Sequence, residues 1–184
     1  MGVLGGTFDP VHNAHLAMAR AALDELGLDK VVWIPTGAPG YRQPPVASGK
    51  HRVAMLTLAL DGEPRYEIDQ RELGGGATGY TYDTLTELKL ESGPDAELWL
   101  LIGADQYAKF EQWHRPDEIR KLAKIGVFAR PGWQAPDARA RGIPFPPTSI
   151  SASEIRARAA RGEHVSHLVP PGVANYIAEN GLYR

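Results

Sequence analysis

Gly5-Gly6-Thr7-Phe8-Asp9-Pro10-Val11-His12-Asn13-Ala14-His15-Leu16 joins a short apolar stretch, Met1 to Leu4, to a run with helical spacing. Leu16, Ala19, Leu23 and Leu26 recur at i, i+3, i+7 and i+10, one face of a helix that Gly27 closes. Strand, glycine turn and helix in that order open a βαβ unit. In an open parallel sheet such a junction lies at the carboxyl end of the strands, where ligands bind. The strand is short, with only Met1 to Leu4 ahead of the glycines. An edge position explains that, as does a misassigned start codon.

Outward from this junction, apolar blocks alternate with helix-period blocks. Val31-Val32-Trp33-Ile34, Leu98-Trp99-Leu100-Leu101-Ile102 and Ile125-Gly126-Val127-Phe128 read as short buried strands bounded by turn residues. Val53, Leu56 and Leu60 mark a second helix face, Leu85 and Leu88 a shorter third. Strand–helix–strand order with crossovers of this length implies parallel strands in right-handed units. The sequence therefore predicts an α/β fold with a doubly wound, mostly parallel sheet. Thr36 to Lys50 carries Pro39, Pro44 and Pro45 with Gly37, Gly40 and Gly49, and reads as a long loop of the lid or binding kind. Gly132 to Pro147, with Pro136, Pro144 and Pro146, reads as a connection into a C-terminal helical region. That region, Ser153 to Tyr183, holds two predicted helices around Val169-Pro170-Pro171.

Composition narrows the function classes. With 184 residues and 43% apolar content, residues 1–184 fit a single domain with a proper core. Twenty Lys and Arg against 22 Asp and Glu leave a formal net charge of −2, so no global positive field points to nucleic acid. No apolar run approaches the roughly 18 residues of a membrane span, and the N-terminus lacks a signal peptide's basic and apolar regions. Zero cysteines exclude disulfides, thiolate zinc sites, iron–sulfur clusters and cysteine nucleophiles. The expectation is a cytoplasmic domain with small-molecule partners, no membrane or nucleic-acid partner, and room for a homo-oligomer.

The glycine junction is built for phosphate chemistry. Gly5 and Gly6 let the backbone pass close to a bulky ligand, and the helix that follows offers its positive end to an anion. His12 and His15, three apart, reach one ligand from the first turn. Imidazoles there donate hydrogen bonds to phosphate oxygens and stabilise charge growing at phosphorus. Taken singly, two glycines make an ordinary turn and His-x-x-His an ordinary surface or cap pattern. A zinc site is a third reading, but it lacks cysteine and a carboxylate at ligand spacing.

Two other glycine patterns are decoys. Gly74-Gly75-Gly76-Ala77-Thr78-Gly79 satisfies Gly-x-Gly-x-x-Gly, but polar Asp69-Gln70-Arg71-Glu72 precedes it where a buried strand should run, so it reads as a loop. Gly49-Lys50 is no P-loop, because His51 follows where Ser or Thr is required.

The twelve-residue string resembles the Gly-Gly-x-Phe-Asp-Pro-x-His-x-Gly-His-Leu signature of the nucleotidylyltransferases, and most of all that of the bacterial nicotinate-nucleotide adenylyltransferases. Ala14 departs from the usual glycine and narrows the space between the histidines. The resemblance continues in order along the chain. Pro35 to Pro39 and Val46 to Met55 are similar to that family's loop and following helix, and Gly79-Tyr80-Thr81-Tyr82-Asp83-Thr84-Leu85 to its Ser-Tyr-Thr-x-Asp-Thr-Leu segment. Gly103-Ala104-Asp105 with Trp113 resembles its Gly-x-Asp and downstream tryptophan. Ile150-Ser151-Ala152-Ser153-Glu154-Ile155-Arg156 resembles its Ile-Ser-x-Ser/Thr-x-Ile-Arg motif, and Leu168 to Pro171 with Tyr176-Ile177 its tail. Pro39-Gly40-Tyr41-Arg42 stands where the family usually shows Pro-Pro-His-Lys.

Each segment also has a plain physical reading. Asp105 follows a buried strand, where a carboxylate accepts from ribose hydroxyls or caps a helix. Trp113 offers a flat face for stacking or fills core. Thr81 opens a helix whose positive end holds a carboxylate or is simply capped. Ser151 and Ser153 start another helix, with Arg156 one turn on, an arrangement that suits a polyphosphate. Between Ala138 and His164 five arginines stand against two glutamates, and Arg158 and Arg161 read as solvated.

The resemblance implies a Rossmann-like nucleotidylyltransferase fold and adenylyl transfer from ATP to nicotinate mononucleotide, with Mg²⁺ bound with ATP. It implies ATP contacts from Gly5, Gly6, Thr7, Phe8, His12, His15, Gly103, Asp105, Ser151, Ser153 and Arg156. His12, His15 and Arg156 would be catalytic. Tyr80, Thr81, Trp113 and Arg42 would bind the nicotinate nucleotide, with Trp113 stacked on the ring and the Thr81 segment on its carboxylate. Rival readings are an adenylyltransferase for nicotinamide mononucleotide or phosphopantetheine, a nucleotide sensor without turnover and, last, a metal-dependent hydrolase built on the histidine pair.

Overall fold

The computed structural model describes residues 1–37, 43–129, 139–146 and 148–184. In chain order they form β1 (Gly2–Gly6), α1 (Asn13–Leu26), β2 (Val31–Pro35), α2 (Gly49–Leu60), β3 (Tyr66–Ile68), α3 (Thr81–Ser92), β4 (Trp99–Gly103), α4 (Ala104–Tyr107), α5 (Pro116–Leu122), β5 (Lys124–Ala129), β6 (Ala140–Pro144), α6 (Ala152–Ala160) and α7 (Pro171–Glu179). The six strands make one parallel sheet in the order β3-β2-β1-β4-β5-β6.

Strand residues alternate between two cores. Leu4, Val31, Trp33, Trp99 and Leu101 face α1, α2, α6 and α7, which contribute Ala19, Leu23, Met55, Leu56, Ile155, Val173 and Ile177. Val3, Val32, Ile34, Leu100 and Ile102 face α3 and α5, with Leu85, Leu88 and Ile119. Helices on both faces of a parallel sheet give the doubly wound architecture expected. The C-terminal helices α6 and α7 belong to the first layer, with α7 packed on α2.

Three expectations are corrected. β1 is central, not an edge, and Gly5 and Gly6 are its last residues, paired with Ile34 and Pro35. The 132–147 stretch is not all connection, because Ala140–Pro144 forms edge strand β6; this short, proline-ended segment pairs on one side only, where proline is tolerated. On α2, Leu56 and Leu60 are buried as their spacing implies, but Val53 is only half-buried and Arg52 is buried beside Met55.

The sheet reverses its winding between β1 and β4. Their ladder joins only Gly2 with Trp99 and Val3 with Leu100, whereas β1 and β2 pair over five residues. The carboxyl ends of β1 and β4 are thus free to part, and the crevice at such a switch point is where this architecture receives ligands.

Candidate active site

Gly6 and Phe8 shape the floor of the crevice. A Cβ on Gly6 would meet the Phe8 ring at 2.9 Å, while one on Gly5 would meet nothing within 4 Å. Phe8 takes a left-handed backbone, φ 47°, which turns its buried ring toward Trp33 and His15 and leaves the Gly5 side open. Behind the loop lies a buried polar frame. Asp9 accepts from the Val46 and Ala47 N–H groups at 2.7 and 3.1 Å and from the Tyr183 hydroxyl at 2.7 Å. Arg52 donates to the carbonyls of Thr7 and Thr36 at 2.7 and 2.8 Å.

His12 is the N-cap of α1 and His15 lies one turn in, and their rings stack at 3.7 Å. The buried methyl of Ala14 does not prevent this stacking. The His12 backbone N–H donates to His15 Nδ1 at 3.3 Å, so the proton of a neutral His15 is on Nε2. His12 Nδ1 is buried with no hydrogen-bond partner among the described residues. That nitrogen lies toward the His15 backbone N–H, within the capping box that the two histidines form at the start of α1.

Burial pushes His12 down to about 4, and burial followed by repulsion from His12 pushes His15 well below the imidazole range. Both are neutral donors at pH 7. The unfolded chain titrates near 6.5, so between pH 6.5 and 4 it binds more protons than the folded one. The stability that neutral His12 contributes is complete above pH 6.5 and lost as pH falls through that window, and the contribution of His15 changes in the same direction. For His12 the loss by pH 5 is about 2 kcal/mol, worth about 4–8 °C of melting temperature. His12→Gln should therefore lose that much less than the parent between about pH 7.5 and 5; equal losses in the two proteins would refute the assignment.

Across the crevice, β4 ends at Gly103 and Asp105 is exposed in the first turn of α4. A Cβ on Gly103 would meet Asp105 Oδ1 at 2.7 Å, so the glycine makes room for that carboxylate over the strand end. Farther along, Gly79, Tyr80, Thr81, Gln112, Trp113, His114 and Ile119 line a cavity of about 200 Å³. Thr81 is the first residue of α3, whose twelve residues aim their positive end there. Trp113 is half-buried and packs at a tilt on Phe110 at 5.3 Å, and Tyr80 stacks on His114 at 4.4 Å. His114, to which the sequence reading gave no role, thus lines the cavity.

The α6 terminus approaches from the other layer. Ser151 caps α6, accepting from the Glu154 N–H at 3.2 Å, and its hydroxyl lies 3.1 Å from that of Ser153. Arg156 donates to the Asp9 carbonyl at 2.7 Å, so it reaches the histidine loop. Arg158 pairs with Glu154 and Arg161 with Glu163, as solvated arginines do. Arg42 lies outside the described residues. Gly74 to Gly79 forms a turn and an irregular segment ahead of α3. A larger cavity, about 940 Å³, lined by Met1, Asp29, Lys30, Glu67, Arg71 and Glu97 among others, contains none of the predicted residues. Among the described residues no group of three or more His, Cys, Asp or Glu is placed to hold a metal, and no helix is long and apolar enough to cross a membrane.

Sequence alone gave no sign of Asp9's partners or of Arg52. Asp9's partners lie 37 to 174 residues away, and two of Arg52's three carbonyls 16 and 45 residues away, separations that leave no local pattern.

Comparison with known proteins gives the family and the fold. A family model described as cytidylyltransferase-like matches residues 3–158. The chain is 43% identical to a probable nicotinate-nucleotide adenylyltransferase of Laribacter hongkongensis, covering all of this chain and 94% of the relative. It is 45% identical to the one from Bordetella petrii, covering all of this chain and 98% of the relative. Among solved structures, Plasmodium falciparum nicotinic acid mononucleotide adenylyltransferase complexed with NaAD matches with a TM-score of 0.78 at 19% identity, over 99% of this chain and 96% of that one. At that identity the likeness is one of fold.

Proposed function

The chain belongs to the cytidylyltransferase-like family, among the nicotinate-nucleotide adenylyltransferases, and we propose that it transfers the adenylyl group of ATP to nicotinate mononucleotide, giving nicotinate adenine dinucleotide and pyrophosphate in NAD biosynthesis. The observation that carries this reading is the crevice at the switch point. A neutral histidine pair stands on its β1 side, and an aromatic cavity at a helix N-terminus lies beyond β4.

The acceptor's phosphate oxygen is already an anion, so the chemistry needs no general base. That oxygen bonds to the α-phosphorus as the bond to the bridging oxygen breaks in line, and pyrophosphate leaves with the electron pair. Catalysis is then positioning plus neutralisation of charge. His15 Nε2–H and the His12 ring hold the α-phosphate over Gly5 and Gly6, the strand end continuing into Thr7 and Phe8. Arg156 and the Ser151–Ser153 turn face the leaving pyrophosphate. Asp105, given room by Gly103, accepts from the ribose hydroxyls. Thr81 at the positive end of α3 holds the nicotinate carboxylate, with Trp113 and Tyr80 supplying flat faces for the ring. Arg42 adds a positive charge from the long loop. Mg²⁺ arriving with ATP would be held mainly by the nucleotide's own phosphates and would supply further neutralisation of their charge. The work is that of a cytoplasmic enzyme drawing on the ATP pool.

Pyrophosphate release with ATP and Mg²⁺ tests the reading, comparing nicotinate mononucleotide, nicotinamide mononucleotide and phosphopantetheine at equal concentration. The acid is expected to exceed the amide by about 10- to 100-fold in kcat/KM, the worth of one charge-assisted hydrogen bond. Preference for another acceptor would discard the pocket assigned to Thr81 and Trp113. Binding of ATP with no turnover on any of the three would leave a sensor.

A further inference from the structure

Asp9 is 3% exposed, yet it carries an acceptor group for three donors from two distant segments. Two are the backbone N–H groups of Val46 and Ala47, which lead into α2. The third, the Tyr183 hydroxyl, comes from beyond α7, 174 residues away in sequence. Tyr183 reaches it at a conformational cost. Its φ is 67°, a left-handed backbone disfavoured for any residue with a β-carbon. Gly181, φ 57°, starts the same reversal, and the Leu182 N–H donates back to the Ile177 carbonyl at 3.0 Å to hold the turn. A residue kept in such a conformation, with a hydrogen bond of 2.7 Å to a buried carboxylate, marks a constraint on what the carboxylate supports.

The carboxylate supports the histidine loop. Asp9 is three residues ahead of His12, and its carbonyl accepts from Arg156. The first turn of α1 is also tied to the C-terminal segment, since the Asn13 N–H donates to the Leu168 carbonyl at 3.0 Å. Burial and the hydrogen bond to Asp9 raise the Tyr183 hydroxyl above the usual phenol range, so it remains a donor.

We infer that Tyr183 is a positioning residue: its hydroxyl, through Asp9, fixes the loop that sets His12 and His15 against the α-phosphate. This rests on the adenylyl-transfer reading above. Tyr183→Phe removes one oxygen and keeps the ring in the core. In the ligand-free variant, the imidazole nitrogen resonances of His12 and His15 should shift, and amide exchange at Val46 and Ala47 should speed up roughly tenfold. With ATP and nicotinate mononucleotide, kcat should fall roughly tenfold while both KM values stay within about twofold, since misplacement acts on the transition state. Tyr176→Phe is the comparison. It loses a hydroxyl bond of 3.0 Å to His51, between α2 and α7, that does not involve Asp9, and should leave kcat within about twofold of the parent.

Unchanged histidine resonances and unchanged exchange in Tyr183→Phe would overturn the inference. So would an unchanged kcat, or an equal kcat loss in Tyr176→Phe, which would reduce Tyr183 to general stiffening. A parent that fails to turn over nicotinate mononucleotide would overturn the proposed function instead, and the spectroscopic arm, read without substrate, would still decide the positioning.

Discussion

His15→Ala should lower kcat by about 10²–10³ with little change in either KM, the usual scale for losing one preorganised donor to a transition-state oxyanion. His15 has two jobs that different substitutions separate. Its Nδ1 accepts from the His12 backbone N–H at 3.3 Å, a structural bond that fixes the first turn of α1. Its Nε2–H is the donor aimed at the ligand. Asparagine places an acceptor where Nδ1 stands, and glutamine places a donor near Nε2. His15→Asn should therefore keep most of the melting temperature and lose most of kcat, while His15→Gln should recover part of kcat and melt lower. Single-turnover pyrophosphate release, well below the melting transition, reads the chemical step. A kcat loss under about threefold for His15→Ala would remove His15 from the mechanism.

The parts of the site that were legible in the sequence are those built locally. The β1–α1 junction, the histidine pair and the helix starts at Thr81 and Ser151 each lie within one turn or one strand end, so spacing alone places their side chains. The short strands β3 and β6 carry too few residues and too little apolar alternation to register. Pro116 followed by Asp117 and Glu118, with Arg120 and Lys121 after them, does signal the start and end of α5. Arg52 is the instructive failure. On α2 it stands beside Val53 and looks like a solvated helix residue, yet the helix turns Arg52 inward and leaves Val53 half-buried. Three carbonyl oxygens contributed by Thr7, Thr36 and Ala47 outbid one valine's apolar area, and nothing near Arg52 announces all of them. Asp9 stands within the motif, but its partners come from residues 46, 47 and 183.

That failure yields the second large effect. Arg52→Met keeps the length and apolar bulk of the side chain while removing charge and donors. Arg52 is 2% exposed and donates to the carbonyls of Thr7 at 2.7 Å, Thr36 at 2.8 Å and Ala47 at 3.3 Å. Burial lowers its pKa and the nearby Asp9 carboxylate raises it; burial is the larger influence, but the guanidinium remains charged because arginine starts so high. After substitution three carbonyls lose their partner and the buried Asp9 carboxylate loses its countercharge. Removing one side of a buried charged constellation costs about 3–5 kcal/mol, or roughly 10 °C of melting temperature for a domain of this size. Arg65→Met is the contrast. Arg65 also makes a two-pronged pairing, with Glu63 at 2.9 and 2.8 Å, but in water, and its loss should move the melting point by less than about 2 °C. The comparison is decided by burial and not by the number of hydrogen bonds, so similar melting points for the two variants would show that the Arg52 frame is not what holds the loop. If the frame does hold it, Arg52→Met should also lower kcat at temperatures where the variant is fully folded, because the Thr7 carbonyl that Arg52 anchors lies between the Gly5–Gly6 floor and the histidines.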